Sequence, residues 1–483
     1  MITLYTPATG FPDLEAKIAY GLARLGIEAR SEVSLKPCQG FYEISYRFEK
    51  DENFVLNEVF TFLLKRLLPN PEFYDLGVKA RYKSKYLPNL EVLKRLSNVN
   101  LAKLYSDKLI HITLDFFNLR LCKHKKLTKF GSDKENKSQK GGLILLASNH
   151  AGKPYVRDKI QDVSRRDTLG LCEVCGYLSV LGGESFSFTI QLGKGKNKKF
   201  VKVLPIPTKQ ITNLELITIL AIQKRLHNYW LSDLMPLKTF TIGLLSKIPS
   251  LSEVINKIEL NFYLALLSKD NRGDTVVEQI ALVDAISFSD FISYSPYNSA
   301  TVINLLGDYK LPPKISTLLE LTNALEQKAK SSLLKFARLY VQETSSNNFT
   351  NLLYPQTAKY LLEVTMIKSE IIENPALLSL SRTLRYFIRE RKYGYADDIR
   401  NARKDSKDFE ETIVKMLREA ELRRVQQEQD KNSGKEVKNW VHLPNEEEIK
   451  EIFRLANEDF DQVKTALVML AFSFPTKKEE KNE

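Results

Sequence analysis

The sequence predicts an α+β protein, in which a mixed α/β N-terminal domain carries a basic insertion with a hairpin and a cysteine knuckle, and an all-α helical bundle follows. Strand-like alternation of apolar and polar residues occurs before residue 313, whereas helical periodicity dominates after it. A lysine-rich polar stretch interrupts the first part. We therefore expect domains at residues 1–122 (α/β), 123–210 (basic region), 211–312 (continuation of the α/β domain) and 313–483 (helical bundle).

The first elements follow from residue spacing and from breaker residues. Apolar residues four apart predict a helix over residues 13–25, with Gly26 as its end. Residues 41–48 alternate between apolar and polar side chains, which predicts a strand. A second helix is expected over residues 57–68, and Pro69 ends it because proline cannot continue a helix.

The basic region and the segment after it contain further strands. We expect a strand at residues 143–147, and a hairpin whose strands, residues 186–192 and 200–205, flank a lysine-rich tip. A helix over residues 212–233 and a strand at residues 258–266 follow.

The C-terminal helix has the clearest signal. Asn445 is followed three residues later by Glu448, which is the pattern of a capping box. Apolar residues then repeat at spacings of three and four as far as Leu470. We expect one helix here, within a helical bundle over residues 315–474.

Composition excludes several classes of protein. Of 483 residues, 43% are hydrophobic and 27% charged, which is typical of a globular chain rather than a disordered one. Four cysteines do not make a disulfide scaffold. No apolar run approaches the ~18 residues of a membrane span, and the N-terminus lacks the pattern of a signal peptide. We expect a cytoplasmic protein without a membrane partner.

The positive charge is concentrated in one part of the chain. Residues 121–210 hold 18 Lys and Arg against 7 Asp and Glu, so they carry +11 of the net charge of +13. A polyanion such as nucleic acid would explain this concentration, and a solvated lysine-rich loop is the alternative. Residues 79–86 interleave cations with tyrosines, which suits either base stacking or a half-exposed edge strand.

A single CxxC motif is a candidate metal site. Two thiolates at the spacing of Cys172 and Cys175 can hold one zinc ion, and Cys122 with His124 would supply the remaining two ligands of a tetrahedron. The other ligand candidates are Cys38 and His150. Without a metal, the cysteines would only be packed. A redox CxxC is disfavoured because no helix is evident after Cys175 to activate a thiol.

The sequence offers no catalytic constellation, so we expect a protein that is not an enzyme. None of the five histidines has the spacing of a paired metal ligand, and no HExxH occurs. The segment around Gly152 and Lys153 fails the phosphate-loop pattern, because Pro154 follows the lysine. Asn149, His150 and Lys153 remain candidates for phosphate contact.

A cationic stripe is predicted on one helix of the bundle. Its residues fall at spacings of three and four, which places them on one helix face, and further cations follow it. The stripe and its extension comprise Arg382, Arg385, Arg389 and Lys392, followed by Arg400 and Arg403. Such a ladder suits a strand of phosphates. The alternative is a solvated face balanced by acidic tertiary neighbours.

These features together resemble a known family. The CxxCG knuckle before a basic hairpin, the helical C-terminal third and the absence of a catalytic motif resemble the large subunit of type I CRISPR surveillance complexes (Cascade), in particular the archaeal type I-A branch. The opening residues 5–13, YTPATGFPD, and the run at residues 384–402, LRYFIRERKYGYADDIRNA, are similar to such proteins. Some relatives carry two CxxC pairs, so the resemblance does not extend to the metal.

The resemblance implies a role as a non-enzymatic subunit in antiviral defence. Such a subunit binds the 5′ end of the crRNA, recognises the PAM on duplex DNA, helps to separate the strands and recruits the Cas helicase-nuclease, while guide pairing supplies sequence specificity. The cations expected to contact nucleic acid are Lys153, Arg157, Arg165, Arg166, Lys194, Lys196, Lys198 and Lys199, together with the helical stripe. The residues expected nearest the PAM are Asn149, His150, Gly193 and Gly195. The implied partners are crRNA, single- and double-stranded target DNA and the other Cascade subunits.

Two other classes of function remain open. A stand-alone zinc-ribbon regulator would bind stoichiometric zinc and a specific duplex by itself. A divergent nuclease would cleave DNA or RNA in the presence of a metal.

Overall fold

The computed structural model describes residues 1–47, 52–67, 94, 96–108, 122, 124, 171–193, 199–226, 229–231, 236–269, 275–307, 312–346, 349–404, 407–437 and 439–475. The chain divides into two compact units. Unit 1 comprises Met1–Asp233 and Glu253–Ile286, and unit 2 comprises Leu234–Ser252 and Ser287–Glu483.

Helices and strands are mixed as far as residue 283. In chain order these elements are β1 (Ile2–Tyr5), α1 (Pro12–Glu28), β2 (Glu32–Cys38), β3 (Phe41–Arg47), α2 (Glu52–Leu67), α3 (Leu101–Tyr105), α4 (Glu173–Phe186), β4 (Phe188–Leu192), β5 (Lys199–Pro207), β6 (Ile211–Thr212), α5 (Asn213–Leu226), β7 (Tyr229–Leu231), α6 (Leu237–Lys247), α7 (Pro249–Ile258), β8 (Leu260–Lys269) and β9 (Thr275–Val283).

In the described residues after 283, every named element is a helix. In chain order these are α8 (Ala285–Tyr294), α9 (Pro296–Leu306), α10 (Ile315–Gln327), α11 (Lys330–Thr344), α12 (Pro355–Val364), α13 (Ser369–Ile372), α14 (Pro375–Arg389), α15 (Gly394–Asn401), α16 (Asp408–Asn432), α17 (Glu446–Glu458) and α18 (Phe460–Ala471). The α+β class is therefore confirmed.

A four-stranded antiparallel sheet, with order β1-β3-β2-β6, contains the strand expected at residues 41–48, which is observed as β3 (Phe41–Arg47). Helix α1 covers it and ends at Glu28 instead of at Gly26. A Cβ atom on Gly26 would lie 2.4 Å from a Val33 methyl group and 2.6 Å from the Tyr46 ring. The prediction that Gly26 ends the helix is wrong because this glycine instead allows α1 to approach the sheet closely.

The second sheet, with order β7-β4-β5-β8-β9, contains the predicted hairpin. Strands β4 and β5 are antiparallel, with Leu192 opposite Lys199, and Gly193 begins the turn with φ +65°. The predicted helix over residues 212–233 ends at Leu226, and β7 follows it and pairs in parallel with β4. The expected strand at 143–147 and the segment 79–86 lie outside the described residues.

Helices α1 and α4 cross at glycines. A Cβ atom on Gly21 would lie 2.1 Å from the Leu178 carbonyl oxygen, and one on Gly182 would lie 1.9 Å from the Lys17 carbonyl oxygen. The two backbones therefore touch, which only glycine permits. Because α4 begins immediately after Cys172, this crossing fixes the CxxC motif relative to the N-terminal sheet.

In unit 2 the capping box predicted at α17 is present: Asn445 Oδ1 accepts from the Glu448 amide at 2.8 Å, and Glu448 Oε2 accepts from the Asn445 amide at 2.8 Å. The expectation of one continuous C-terminal helix is wrong. Asp459 interrupts it, because its side chain accepts a hydrogen bond from the Gln462 amide and starts α18 anew.

The boundaries of the two units differ from the expected domain boundaries. Unit 2 includes residues 234–252, and its main segment begins at residue 287, whereas the helical bundle was expected to begin at residue 313. None of the helices in the described ranges combines the length and apolar character that crossing a membrane requires.

Candidate metal centre

Four side chains that the sequence marked as ligand candidates come together in unit 1. The sulfur atoms of Cys122, Cys172 and Cys175 and a ring nitrogen of His124 all lie within 4.8 Å of one another. His124 Nδ1 is 3.5 Å from Cys172 Sγ and 3.3 Å from Cys175 Sγ. Cys122 and His124 thus share one site with Cys172 and Cys175, about fifty positions later in the chain, which is one of the ligand combinations that the sequence suggested.

The local backbone orients the thiols toward one point. Cys172 is the N-cap of α4, and its Sγ accepts a hydrogen bond from the Cys175 amide at 3.4 Å. The Cys172 amide in turn donates to Cys122 Sγ at 3.3 Å. Amide donors stabilise negative charge on sulfur, so the arrangement suits thiolates.

Tyr105, at the end of α3, forms one wall of the cluster. Its hydroxyl shares a hydrogen bond of 2.9 Å with Cys175 Sγ, and its ring meets the His124 imidazole edge-on at 4.8 Å between centroids. Nothing in the sequence indicated this residue, because α3 lies about seventy positions away from the CxxC motif and carries no motif of its own.

The donor set and its dimensions fit a tetrahedral zinc ion. With Zn–S bonds of ~2.3 Å and Zn–N bonds of ~2.0 Å, the edges of such a tetrahedron are about 3.5–3.8 Å long. The two sulfur–nitrogen distances, 3.5 and 3.3 Å, agree with these edges. Three of the four ligands are buried, and Cys172 is half-buried, which is typical of a closed structural site.

The protonation of the three thiols is unequal. Hydrogen bonds from Cys172 and Cys175 lower the pKa of the Cys122 thiol well below its usual range. Burial raises the pKa values of Cys172 and Cys175 well above theirs. A bound cation would favour the ionised form of all three thiols.

One sequence argument against a redox role is wrong. A helix does follow the motif, since α4 begins at residue 173 and includes Cys175. The presence of Cys122 and His124 at the same point distinguishes the cluster from a two-cysteine redox motif. Cys38, an alternative ligand, lies on β2 with its thiol 3.8 Å from Glu43.

Most of the predicted nucleic-acid contacts in the basic region lie outside the described residues. These are Asn149, His150, Lys153, Arg157, Arg165, Arg166, Lys194, Gly195, Lys196 and Lys198. Within the described part, Lys199 forms an ion pair with Glu278 at 2.8 Å, which lowers the pKa of that carboxyl group. Its charge is thus already balanced by a carboxylate on β9, which is separated from β5 by β8.

The predicted stripe on α14 is not a continuous exposed face. Arg385 is only 4% exposed, and its guanidinium donates to the Leu470 carbonyl oxygen at 3.0 Å. The prediction that Arg385 faces phosphates is therefore wrong, because it binds a backbone group inside the bundle. Arg382 and Arg389 are half-buried, and Lys392 lies beyond the helix end and pairs with Glu419 at 2.7 Å.

Of the two cations that follow the stripe, Arg400 has an acidic neighbour. Arg400 pairs with Asp397 at 3.4 Å across one turn of α15, which agrees with the alternative of a cationic face balanced by acidic neighbours. Arg403 is exposed after the end of that helix.

A serine, a histidine and a carboxylate meet in unit 2, although the sequence gave no sign of it. Ser379 Oγ lies 2.8 Å from His442 Nε2 and 2.8 Å from Glu448 Oε2. In a catalytic triad the carboxylate would bind the histidine, whereas Glu448 here accepts from the serine. The Ser379 hydroxyl donates its hydrogen bond to Glu448, and only 6% of Ser379 is exposed. The three side chains therefore join α14 to the start of α17 and are not arranged to activate a nucleophile.

No protein-family model matches this chain, and no curated protein is significantly similar to it.

Proposed function

We propose first that Cys122, His124, Cys172 and Cys175 hold one structural zinc ion. The support is a donor set of three sulfurs and one nitrogen within 4.8 Å of one another, with two sulfur–nitrogen distances close to the edge of a tetrahedron and amide donors to two of the sulfurs. When bound, zinc supplies the positive charge that keeps buried thiols ionised. The four ligands flank residues 125–171, so they join the two ends of that segment.

The element content of the purified protein tests this proposal. We expect about one zinc ion per chain in the unaltered protein, and loss of most of it in Cys175→Ser. Cys38→Ser is the matched control, because its thiol lies outside the cluster. Equal zinc content in the two variants would show that the cluster does not bind the ion.

We propose further that the protein is the non-enzymatic large subunit of a crRNA-guided type I CRISPR effector complex. The observation that carries this proposal is the position of the ligands around the basic segment. Residues 125–171 contain eleven Lys and Arg against five Asp and Glu. A zinc ion at their ends would confine this charge to one region, where it can contact the nucleic-acid backbone.

In this proposal the basic segment and the hairpin between β4 and β5 bind the crRNA 5′ end and the target DNA beside the PAM. The lysines at 194, 196 and 198 contact phosphates, while Lys199 orients the hairpin through Glu278. Guide pairing supplies sequence specificity, so the protein reads only a short motif and recruits the helicase-nuclease. The resemblance to Cascade large subunits supports this assignment.

Purification of the tagged protein from its host distinguishes the proposal from its alternatives. We expect repeat-derived guide RNA and several other subunits to co-purify. A zinc-bearing protein that purifies alone and binds one duplex sequence tightly would instead be a regulator. Metal-dependent cleavage of DNA or RNA by the purified protein would identify a nuclease. Either result would overturn the proposal.

A further inference from the structure

The three thiols of the metal centre differ in their access to solvent. Cys175 is fully buried and Cys122 is only 5% exposed. Cys172 is half-buried, which makes its sulfur the most accessible of the three. A small reagent that enters from solvent therefore meets Cys172 before the other two cysteines.

Hydrogen bonding does not remove this difference, because every one of the three sulfurs has a donor group beside it. Cys172 Sγ accepts from the Cys175 amide at 3.4 Å, and Cys122 Sγ accepts from the Cys172 amide at 3.3 Å. The Tyr105 hydroxyl lies 2.9 Å from Cys175 Sγ. Such donors stabilise charge on sulfur and so lower its nucleophilicity. Since each sulfur has one, exposure remains the feature that distinguishes Cys172.

The backbone places the thiol of Cys175 on the helical turn that Cys172 caps. Cys172 is the N-cap of α4 and Cys175 is the third residue of that helix. The hydrogen bond from the Cys175 amide holds the Cys172 sulfur over this turn. A CxxC pair in one turn can close a disulfide locally, as it does in thiol–disulfide oxidoreductases. Cys122, fifty positions earlier, belongs to a separate segment.

We propose that the metal centre is a peroxide-sensitive switch, in which Cys172 is the residue that is oxidised and Cys175 is the thiol that resolves the product. The inference rests on the zinc site proposed above and names its regulation. Its co-reactant is hydrogen peroxide, a small oxidant that needs access to one sulfur only.

The reaction has two steps. The Cys172 thiolate attacks one oxygen of hydrogen peroxide, the O–O bond breaks, and Cys172 becomes a sulfenic acid while the other oxygen leaves as hydroxide and takes up a proton to form water. The Cys175 thiolate then attacks the Cys172 sulfur, and the S–O bond breaks with uptake of a second proton and loss of a second water. Two electrons pass from the sulfur pair to the peroxide, and a disulfide remains.

The oxidised site no longer suits a zinc ion. Disulfide sulfurs carry no negative charge, so only Cys122 and His124 remain of the four ligands. We therefore expect oxidation to release zinc into solution. Reduction by a dithiol reopens the disulfide and restores the complete donor set, so the switch is reversible when zinc is supplied.

The test uses zinc-loaded full-length protein without reductant, and hydrogen peroxide is the probe. A chromogenic chelator measures the released zinc, and alkylation followed by peptide mass spectrometry identifies the bonded sulfurs. We expect loss of most of the zinc, a disulfide between Cys172 and Cys175, and a free thiol at Cys122. Cys38→Ser is the matched control, because this thiol lies outside the cluster, and it should release zinc to the same extent.

A second variant tests the choice of resolving thiol. Cys122→Ser removes a ligand, and with it most of the zinc, but keeps both reacting cysteines. Peroxide should therefore still produce the disulfide between Cys172 and Cys175. A variant that fails to form it would overturn the assignment of Cys175.

Other results would overturn the switch as a whole. Zinc that stays bound at a peroxide concentration sufficient to oxidise free glutathione is one of them. Release accompanied by a disulfide to Cys122, or by a sulfinic acid at Cys172 that a dithiol does not reverse, is another.

Failure of the switch is distinguishable from failure of the proposed function. A zinc-bearing protein that peroxide leaves unchanged would reject the switch and keep the metal centre. A protein that contains no zinc and takes none up would reject the metal centre and the switch together. The CRISPR assignment is tested separately, by the guide RNA that co-purifies.

Discussion

The hydroxyl group of Tyr105 lies 2.9 Å from the sulfur of Cys175, although the two residues are seventy positions apart. This contact adds a hydrogen-bonding group to the cluster besides its four ligand candidates. Burial of the phenol, together with the neighbouring Cys175 and Cys172 thiols, keeps the pKa of Tyr105 well above its usual range, so the hydroxyl stays protonated and able to donate.

Tyr105→Phe should therefore weaken zinc binding by about 10- to 100-fold, the usual effect of removing a group that supports a metal ligand. The ring and its edge contact with His124 are retained, so the fold should persist. Competition with a chromogenic chelator measures the change. Tyr20→Phe is the control, because it also removes a buried hydrogen bond, from Tyr20 to the Pro205 carbonyl, but far from the cluster in sequence. An equal effect of both variants would assign the loss to general destabilisation.

Gly182→Ala should destabilise unit 1 strongly. Its new Cβ would lie 1.9 Å from the Lys17 carbonyl oxygen, and backbone cannot move aside as a side chain can. Overpacking of this kind costs about 1–3 kcal/mol or more in the free energy of unfolding. Chemical denaturation measures it.

Gly183→Ala provides a neighbouring comparison in the same helix. Its Cβ would meet only the Lys17 side chain, at 3.3 Å from Cε, so the cost should be clearly smaller. Similar losses in the two variants would contradict a backbone contact between α1 and α4.

Glu15 should make stability depend on pH. Burial raises the pKa of this carboxyl group from 4.5 to about 7, so the folded state holds its proton more tightly than the unfolded state. The contribution of Glu15 to the free energy of unfolding is therefore fully present below about pH 4.5. It decreases by about 3 kcal/mol in all as the pH rises to about 7. Glu15→Gln should remove this decrease and be more stable than the unaltered protein above about pH 7.

Denaturation at several pH values between about 4.5 and 8 would measure the difference between the two proteins. Glu28→Gln, on the same helix but partly exposed and paired with Arg24, is the matched control variant. A constant difference between Glu15→Gln and the unaltered protein would show that Glu15 is ionised in the folded state throughout.

Replacing Lys194, Lys196 and Lys198 together by Gln should reduce the salt dependence of duplex binding, by up to ~0.9 in the log–log slope for each phosphate contact. Lys199→Gln should reduce it less, because Lys199 already pairs with Glu278. A control variant with the same change in charge, at Lys335, Lys415 and Lys450, should leave the slope as it was. If the slope is also unchanged in the hairpin variant, the hairpin does not bind phosphate.

Patterns that depend on neighbours in sequence were predictable. The capping box at Asn445, the hairpin around Gly193 and the helical C-terminal part follow from residue types at fixed short spacings, and all three are present. The interruption at Asp459 was missed because apolar spacing continues across it, and only the aspartate side chain restarts the helix.

Burial of charged residues could not be read from spacing. Arg385 continues a cationic series in sequence, yet its helix turns it inward to a carbonyl group. Lys17 is fully buried on α1, where burial lowers its pKa well below the usual range. A long cationic side chain has the same sequence signature whether it faces water or a neighbouring helix, because the difference depends on what packs against it.

The sequence by itself determined the α+β class, the concentration of charge between residues 121 and 210, and a set of metal-ligand candidates that also included Cys38 and His150. Only the tertiary structure decided that Cys122, His124, Cys172 and Cys175 meet and that Tyr105 joins them. The physical reason is the separation along the chain of the residues that interact. Local patterns follow from the helix and strand repeats, whereas a site assembled from distant segments depends on how those segments pack, as at the glycine crossing of α1 and α4.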